Sequence, residues 1–117
     1  MLKTDSEILA ALGQASLGLL YMSESDYPFE LIRWKGRTEL TSAFICGIAG
    51  EATDCTVQKL DCDAFLGGRY QRLAQLLKAN LSSLRVYKVG RINMPVYIVG
   101  RSPEGNWLGL STRVVQT

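Results

Sequence analysis

The last third of the chain constrains the fold most. Residues 85–92, 94–101 and 106–115 form three apolar-rich runs, separated by Asn93 and by Ser102-Pro103-Glu104-Gly105. Proline presets φ and glycine permits positive φ, so the second connection reads as a tight turn. Alternation is clear in the third run, where Leu108, Leu110, Thr112 and Val114 fall opposite Trp107, Gly109, Ser111, Arg113 and Val115. Three runs with short connections predict an antiparallel meander. Such a sheet must bury at least one face against something else.

The cover comes from upstream. Thr4-Asp5-Ser6-Glu7 matches a capping box, in which a hydroxyl and a carboxylate three residues apart satisfy free N–H groups at a helix start. Ile8, Leu9, Leu12, Ala15 and Leu19 then recur at helical spacing, with Gly18 as the stop. Residues 22–28 read as a polar loop carrying Glu24 and Asp26 and closed by Pro28. Phe29 to Trp34 reads as a strand, with Phe29 and Leu31 opposite Ile32 and Trp34. Thr41 to Gly50 is expected to be a short helix, although a strand of that length has the same apolar signature. Thr56 to Asp61 predicts a strand, and Asp61 an N-cap for a brief turn through Phe65 and Leu66. After Gly67-Gly68, the periodicity of Tyr70, Leu73, Leu76, Leu77 and Leu81 predicts a helix over residues 69–84. Helices mixed with grouped terminal strands give an α+β fold, an α/β/α sandwich with helices on a mainly antiparallel sheet. At 117 residues and 47% hydrophobic composition, one domain spanning 1–117 is expected.

Composition narrows the chemistry. The chain has no histidine, which removes Ser-His-Asp and Cys-His nucleophile systems and histidine metal sites. No phosphate-binding glycine loop, nucleophile elbow or zinc-protease motif is present, so an enzyme is not expected, and neither is a cofactor. Cys46, Cys55 and Cys62 have no CxxC spacing, and reduced structural thiols are the expectation. Asp61 and Asp63 are expected to cap rather than to bind a cation. Gly67-Gly68-Arg69 before a helix could cradle a phosphate, but a tight turn accounts for the glycines. The N-terminus lacks an apolar signal core and no run approaches a membrane span, which points to the cytoplasm.

The net charge of +2 conceals a segregation: residues 1–68 carry five Lys/Arg against ten Asp/Glu, and residues 69–117 carry eight against one. The eight cations are spread singly, so they read as solvated faces rather than a nucleic-acid patch. The picture is a binding or regulatory domain.

Longer strings carry a resemblance. Ser6-Glu7-Ile8-Leu9, Gln14-Ala15-Ser16 and the stretch Gly18-Leu19-Leu20-Tyr21-Met22-Ser23-Glu24-Ser25-Asp26-Tyr27-Pro28-Phe29-Glu30 resemble the opening of the nuclease A inhibitor (NuiA-like) family. Val86 to Gly90, Val96 to Gly100 and Leu108 to Thr117 resemble its C-terminal strands. The resemblance implies an α/β/α sandwich that blocks the active site of a sugar-nonspecific, Mg-dependent DNA/RNA endonuclease. It implies that Glu24 meets arginines of the nuclease cleft, and Asp26 and Glu30, close by in sequence, add to a local negative patch expected to face the partner. It further implies that the terminal Thr117 approaches the magnesium held by the partner. Two features differ from the family: its acidic, aromatic segment before the long helix is missing where Leu66-Gly67-Gly68-Arg69 runs straight through, and the pI is near 8.5 rather than acidic. These differences admit an alternative, a related protein-binding module that has lost nuclease inhibition and binds another partner.

Overall fold

A computed structural model of the chain describes residues 4–22, 26–35, 40–50, 56–90 and 93–115. Helix α1 (Asp5–Ser16) begins at the capping box: Glu7 N donates to Thr4 Oγ1 at 3.2 Å, and Thr4 N donates to Glu7 Oε1 at 3.0 Å. Leu17 caps its end and Gly18 follows at φ 78°, a left-handed conformation that glycine adopts without a Cβ clash. Helix α2 (Ser42–Ile48) starts at Thr41, whose hydroxyl accepts from Phe44 N, so the helix reading of this segment holds. Asp61 caps the one-turn helix α3 (Cys62–Phe65) through Ala64 N.

Five strands make the main sheet: β3 (Glu30–Trp34), β4 (Val57–Leu60), β5 (Ser82–Val89), β6 (Asn93–Arg101) and β7 (Trp107–Val115). Their spatial order is β3-β7-β6-β5-β4, and every neighbouring pair is antiparallel. The meander is therefore present, with β3 added to one edge and β4 to the other. Central β6 is buried from Met94 through Gly100, which fits a strand covered on both faces.

Alternation divides that burial into two cores. On one face, Ile8 and Leu12 of α1 meet Leu73 and Leu77 of helix α4 (Gln71–Asn80) over Val96, Ile98, Leu108 and Leu110. On the other, Ile45 of α2 packs with Ile32, Tyr97, Val99 and Trp107. Helices on both faces of one antiparallel sheet make the expected α/β/α arrangement within the α+β class. The start of α1 is tied to the β6–β7 turn. Buried Asp5 accepts from Asn106 Nδ2 at 2.6 Å, and its N–H donates to Glu104 Oε1 at 2.7 Å.

Three expectations are corrected. The helix predicted over 69–84 is shorter: Gly68–Tyr70 is a 3-10 turn, α4 ends at Asn80, and residues 82–84 belong to β5. Asn80 Nδ2 donates to Leu76 O, Leu81 turns extended at ψ 150°, and Ser82 pairs with Arg101. Leu81 is buried in the same core either way, so leucine spacing could not reveal the break. The polar segment 22–28 is not all loop, because β1 (Leu20–Met22) and β2 (Asp26–Pro28) pair as a small antiparallel hairpin. Strands of three residues are too short for alternation to register. Finally, buried Cys46 is disulfide-bonded, whereas Cys62 is free. The expectation of reduced thiols, drawn from an odd cysteine count without CxxC spacing, therefore fails at Cys46 and holds at Cys62; Cys55 lies outside the described residues.

Candidate partner-binding site

The described residues flanking Glu24 form the β1–β2 hairpin, whose register pairs Leu20 with Pro28, Tyr21 with Tyr27 and Met22 with Asp26. Asp26 is exposed at the start of β2. Glu24 and Thr117 lie outside the described residues, so their flanks carry the geometry. Glu30 of β3 is opposite Ser111 of β7 in an antiparallel pair. The chain preceding Glu30 and the chain following Ser111 therefore run toward the same end of the sheet. A side chain joins them, since Thr112 Oγ1 donates to Tyr27 O at 3.3 Å. Two segments 85 residues apart in sequence are brought together.

Aromatic side chains hold the hairpin against the body. Tyr21 stacks on Phe65 at 4.3 Å between centroids and 7° between planes, and on Tyr70 at 5.1 Å. Phe29 meets the edges of Tyr21 and Tyr70 at 6.2 and 5.8 Å. The Tyr70 hydroxyl donates to Leu20 O at 2.7 Å. Burial, and then the neighbouring Tyr70, push the Tyr21 phenol above its ordinary pKa, so it stays a neutral packing group. This cluster was not recognised from the sequence, where Tyr70 and Phe65 read as separate helical core positions. The signal available was only that aromatic residues flank both the acidic string and the glycine pair.

Beside the hairpin, an open groove of about 500 Å³ lies over β3, β7 and β6, lined among others by Glu30, Trp34, Ile48, Tyr97, Ser111 and Arg113. Tyr97 is 8% exposed, and burial raises its pKa while Arg113 works against that rise. Arg113 Nη1 donates to Asn93 Oδ1 at 3.1 Å. The groove offers a carboxylate, a guanidinium, hydroxyls and ring faces.

Other singled-out residues do structural work. Asp61 caps α3, and Asp63 forms an ion pair with Lys78. Gly68 sits at φ 63° in the 3-10 turn, as a tight turn requires. Among the cations of the basic half, Arg85 and Arg101 lie over the Trp107 ring at 5.4 and 5.3 Å from its centroid. Among the described residues, no helix is long and apolar enough to cross a membrane.

No protein of curated function matches the chain. Comparison with family models gives a match to nuclease A inhibitor-like proteins over residues 6–68 and 67–117. The two matched pieces meet at Gly67-Gly68. The match runs from Ser6 in α1 through the acidic string and both cores to the terminal strands, and its extent settles the classification: this chain belongs to the nuclease A inhibitor-like (NuiA) family, a family of nuclease inhibitors.

Proposed function

We propose that the protein inhibits a metal-dependent, sugar-nonspecific endonuclease by occupying its active site with the acidic hairpin and the C-terminal threonine. The family match over both halves of the chain carries this reading. Supporting it, the flanks of Glu24 and of Thr117 approach one end of the sheet through the Thr112–Tyr27 bond. A carboxylate on Glu24, reinforced by exposed Asp26, would make charge-assisted bonds to guanidinium groups that otherwise hold phosphate. The carboxylate and hydroxyl of Thr117 would offer hard oxygens to the partner's magnesium. The protein itself supplies no reactive group; it excludes substrate.

The test is cleavage of plasmid DNA by a Mg²⁺-dependent nonspecific endonuclease, titrated with the protein. Stoichiometric inhibition is expected. Glu24→Ala should cost about 2 kcal/mol or more, roughly thirtyfold in inhibition constant, as for a buried interfacial charge. Removal of Thr117 should weaken inhibition independently. Unchanged inhibition constants for both variants would reject the assigned contacts.

The meeting of the two matched pieces at Gly67-Gly68 favours a second reading, a family member whose partner is no longer that nuclease. Absence of inhibition at micromolar excess, together with stoichiometric recovery of a non-nuclease protein on the immobilised chain, would establish it.

A further inference from the structure

Three-residue strands do not hold a hairpin in place by their own pairing. Something else must fix the β1–β2 hairpin, and the contacts that do so come from a distant part of the chain. The Tyr70 hydroxyl bonds Leu20 O, 50 residues earlier in sequence, at 2.7 Å. Its ring stacks on Tyr21 and makes an edge-type contact with Phe29, so one side chain engages β1 and the residue that links β2 to β3. Tyr70 is itself buried, in the 3-10 turn that leads into α4, and that turn is anchored by the Leu73 and Leu77 core. Phe65 of α3 completes the stack on Tyr21. The hairpin is thereby fastened to the helical layer of the sandwich and not to its own strands alone.

We propose that Tyr70 is a positioning residue for the partner contact: it touches no partner but holds the acidic hairpin in its binding orientation. This rests on the reading that the hairpin meets the nuclease. An interface whose supporting strands are held in place before binding avoids part of the entropic cost of ordering them on association. The hydroxyl is the part of Tyr70 that a conservative variant can remove without disturbing the ring stack.

The experiment uses Tyr70→Phe in the full chain with two readouts. In the free protein, amide hydrogen exchange at Tyr21, Met22 and Tyr27 is expected to accelerate at least about fivefold, with α4 and β6 amides unchanged. In the nuclease assay, inhibition is expected to weaken about fivefold. Combined with Glu24→Ala, Tyr70→Phe should add no further loss, because both act through one contact, whereas combined with removal of Thr117 the losses should multiply. A merely structural role would also speed hairpin exchange but would not produce this selective coupling. Multiplied losses in the Glu24→Ala background, or wild-type exchange and inhibition in Tyr70→Phe, overturn the proposal. The failures are separable: the parent reading fails when Glu24→Ala inhibits like wild type, and the present one fails when Tyr70→Phe does so while Glu24→Ala does not.

Discussion

Replacing Gly109 with alanine is expected to destabilise the protein by at least about 3 kcal/mol or to prevent folding, the upper range for overpacking in a rigid interior. Gly109 sits on β7 opposite Ile32 of β3 and Val99 of β6, in the middle of the sheet. A Cβ built there would lie 1.8 Å from the Ile98 carbonyl oxygen, 2.8 Å from its carbon and 2.9 Å from Val99 Cα. All three are backbone atoms, so no side chain can rotate away. Relief would require β6 and β7 to separate, at the expense of the ladder that joins the two cores. Gly47→Ala is the matched control. It lies within α2 with nothing within 4 Å of an added Cβ, and alanine's helix propensity should make it neutral or stabilising by up to about 1 kcal/mol. Urea denaturation of both variants checks the pair, and a Gly109→Ala midpoint equal to wild type would contradict the close strand approach.

Trp107→Ala is expected to cost about 3–5 kcal/mol, the range for truncating a buried large aromatic side chain. Trp107 is 2% exposed and belongs to the second core, with Ile32, Ile45, Tyr97 and Val99. The seven-residue α2 is the helix on this face, so the layer is thin and has little else with which to collapse into the void. Exposed Arg85 and half-buried Arg101 would also lose the ring over which they lie, a smaller effect of about 0.5–1 kcal/mol each. Chemical denaturation gives the measurement; a cost below about 1 kcal/mol would show that α2 is not held by this residue.

These two substitutions concern the scaffold, and their effects should be separable from those on recognition. Glu24→Ala and Tyr70→Phe are expected to leave the global unfolding midpoint near wild type, because neither removes a core side chain. On the proposed reading the sheet is the scaffold and the hairpin the partner contact, so stability variants are expected to lower the amount of folded protein, whereas hairpin variants are expected to change inhibition per folded molecule.

Much of the architecture was legible in residue order. The Thr4/Glu7 capping box, the Thr41 and Asp61 N-caps and the terminal meander rely on interactions between near neighbours or on strict alternation, and each appears where the sequence puts it. The extent of α4 was not legible: Leu81 and Leu84 satisfy a helical stripe and also pack on the first core from an extended chain. Tertiary pairing of Ser82 with Arg101 overrode the local preference, and Ser83 accommodates the change at φ 51° beside an irregularity in the β5–β6 register. The bonded state of Cys46 was equally hidden, since spacing says nothing of distance in a folded chain.

For the candidate site the division is sharper. The acidic string and the C-terminal motif are sequence objects, and their resemblance to the nuclease A inhibitor family needed no coordinates. Residue order alone also determined the helix caps and the two faces of each strand, because those depend on separations of two to four residues. Only the tertiary structure decided that the hairpin strands and the end of β7 meet at one end of the sheet, and that Tyr70 reaches back to Leu20. Those contacts span 50 to 85 residues. No periodic pattern encodes such contacts, because they follow from the order in which antiparallel strands are laid beside one another.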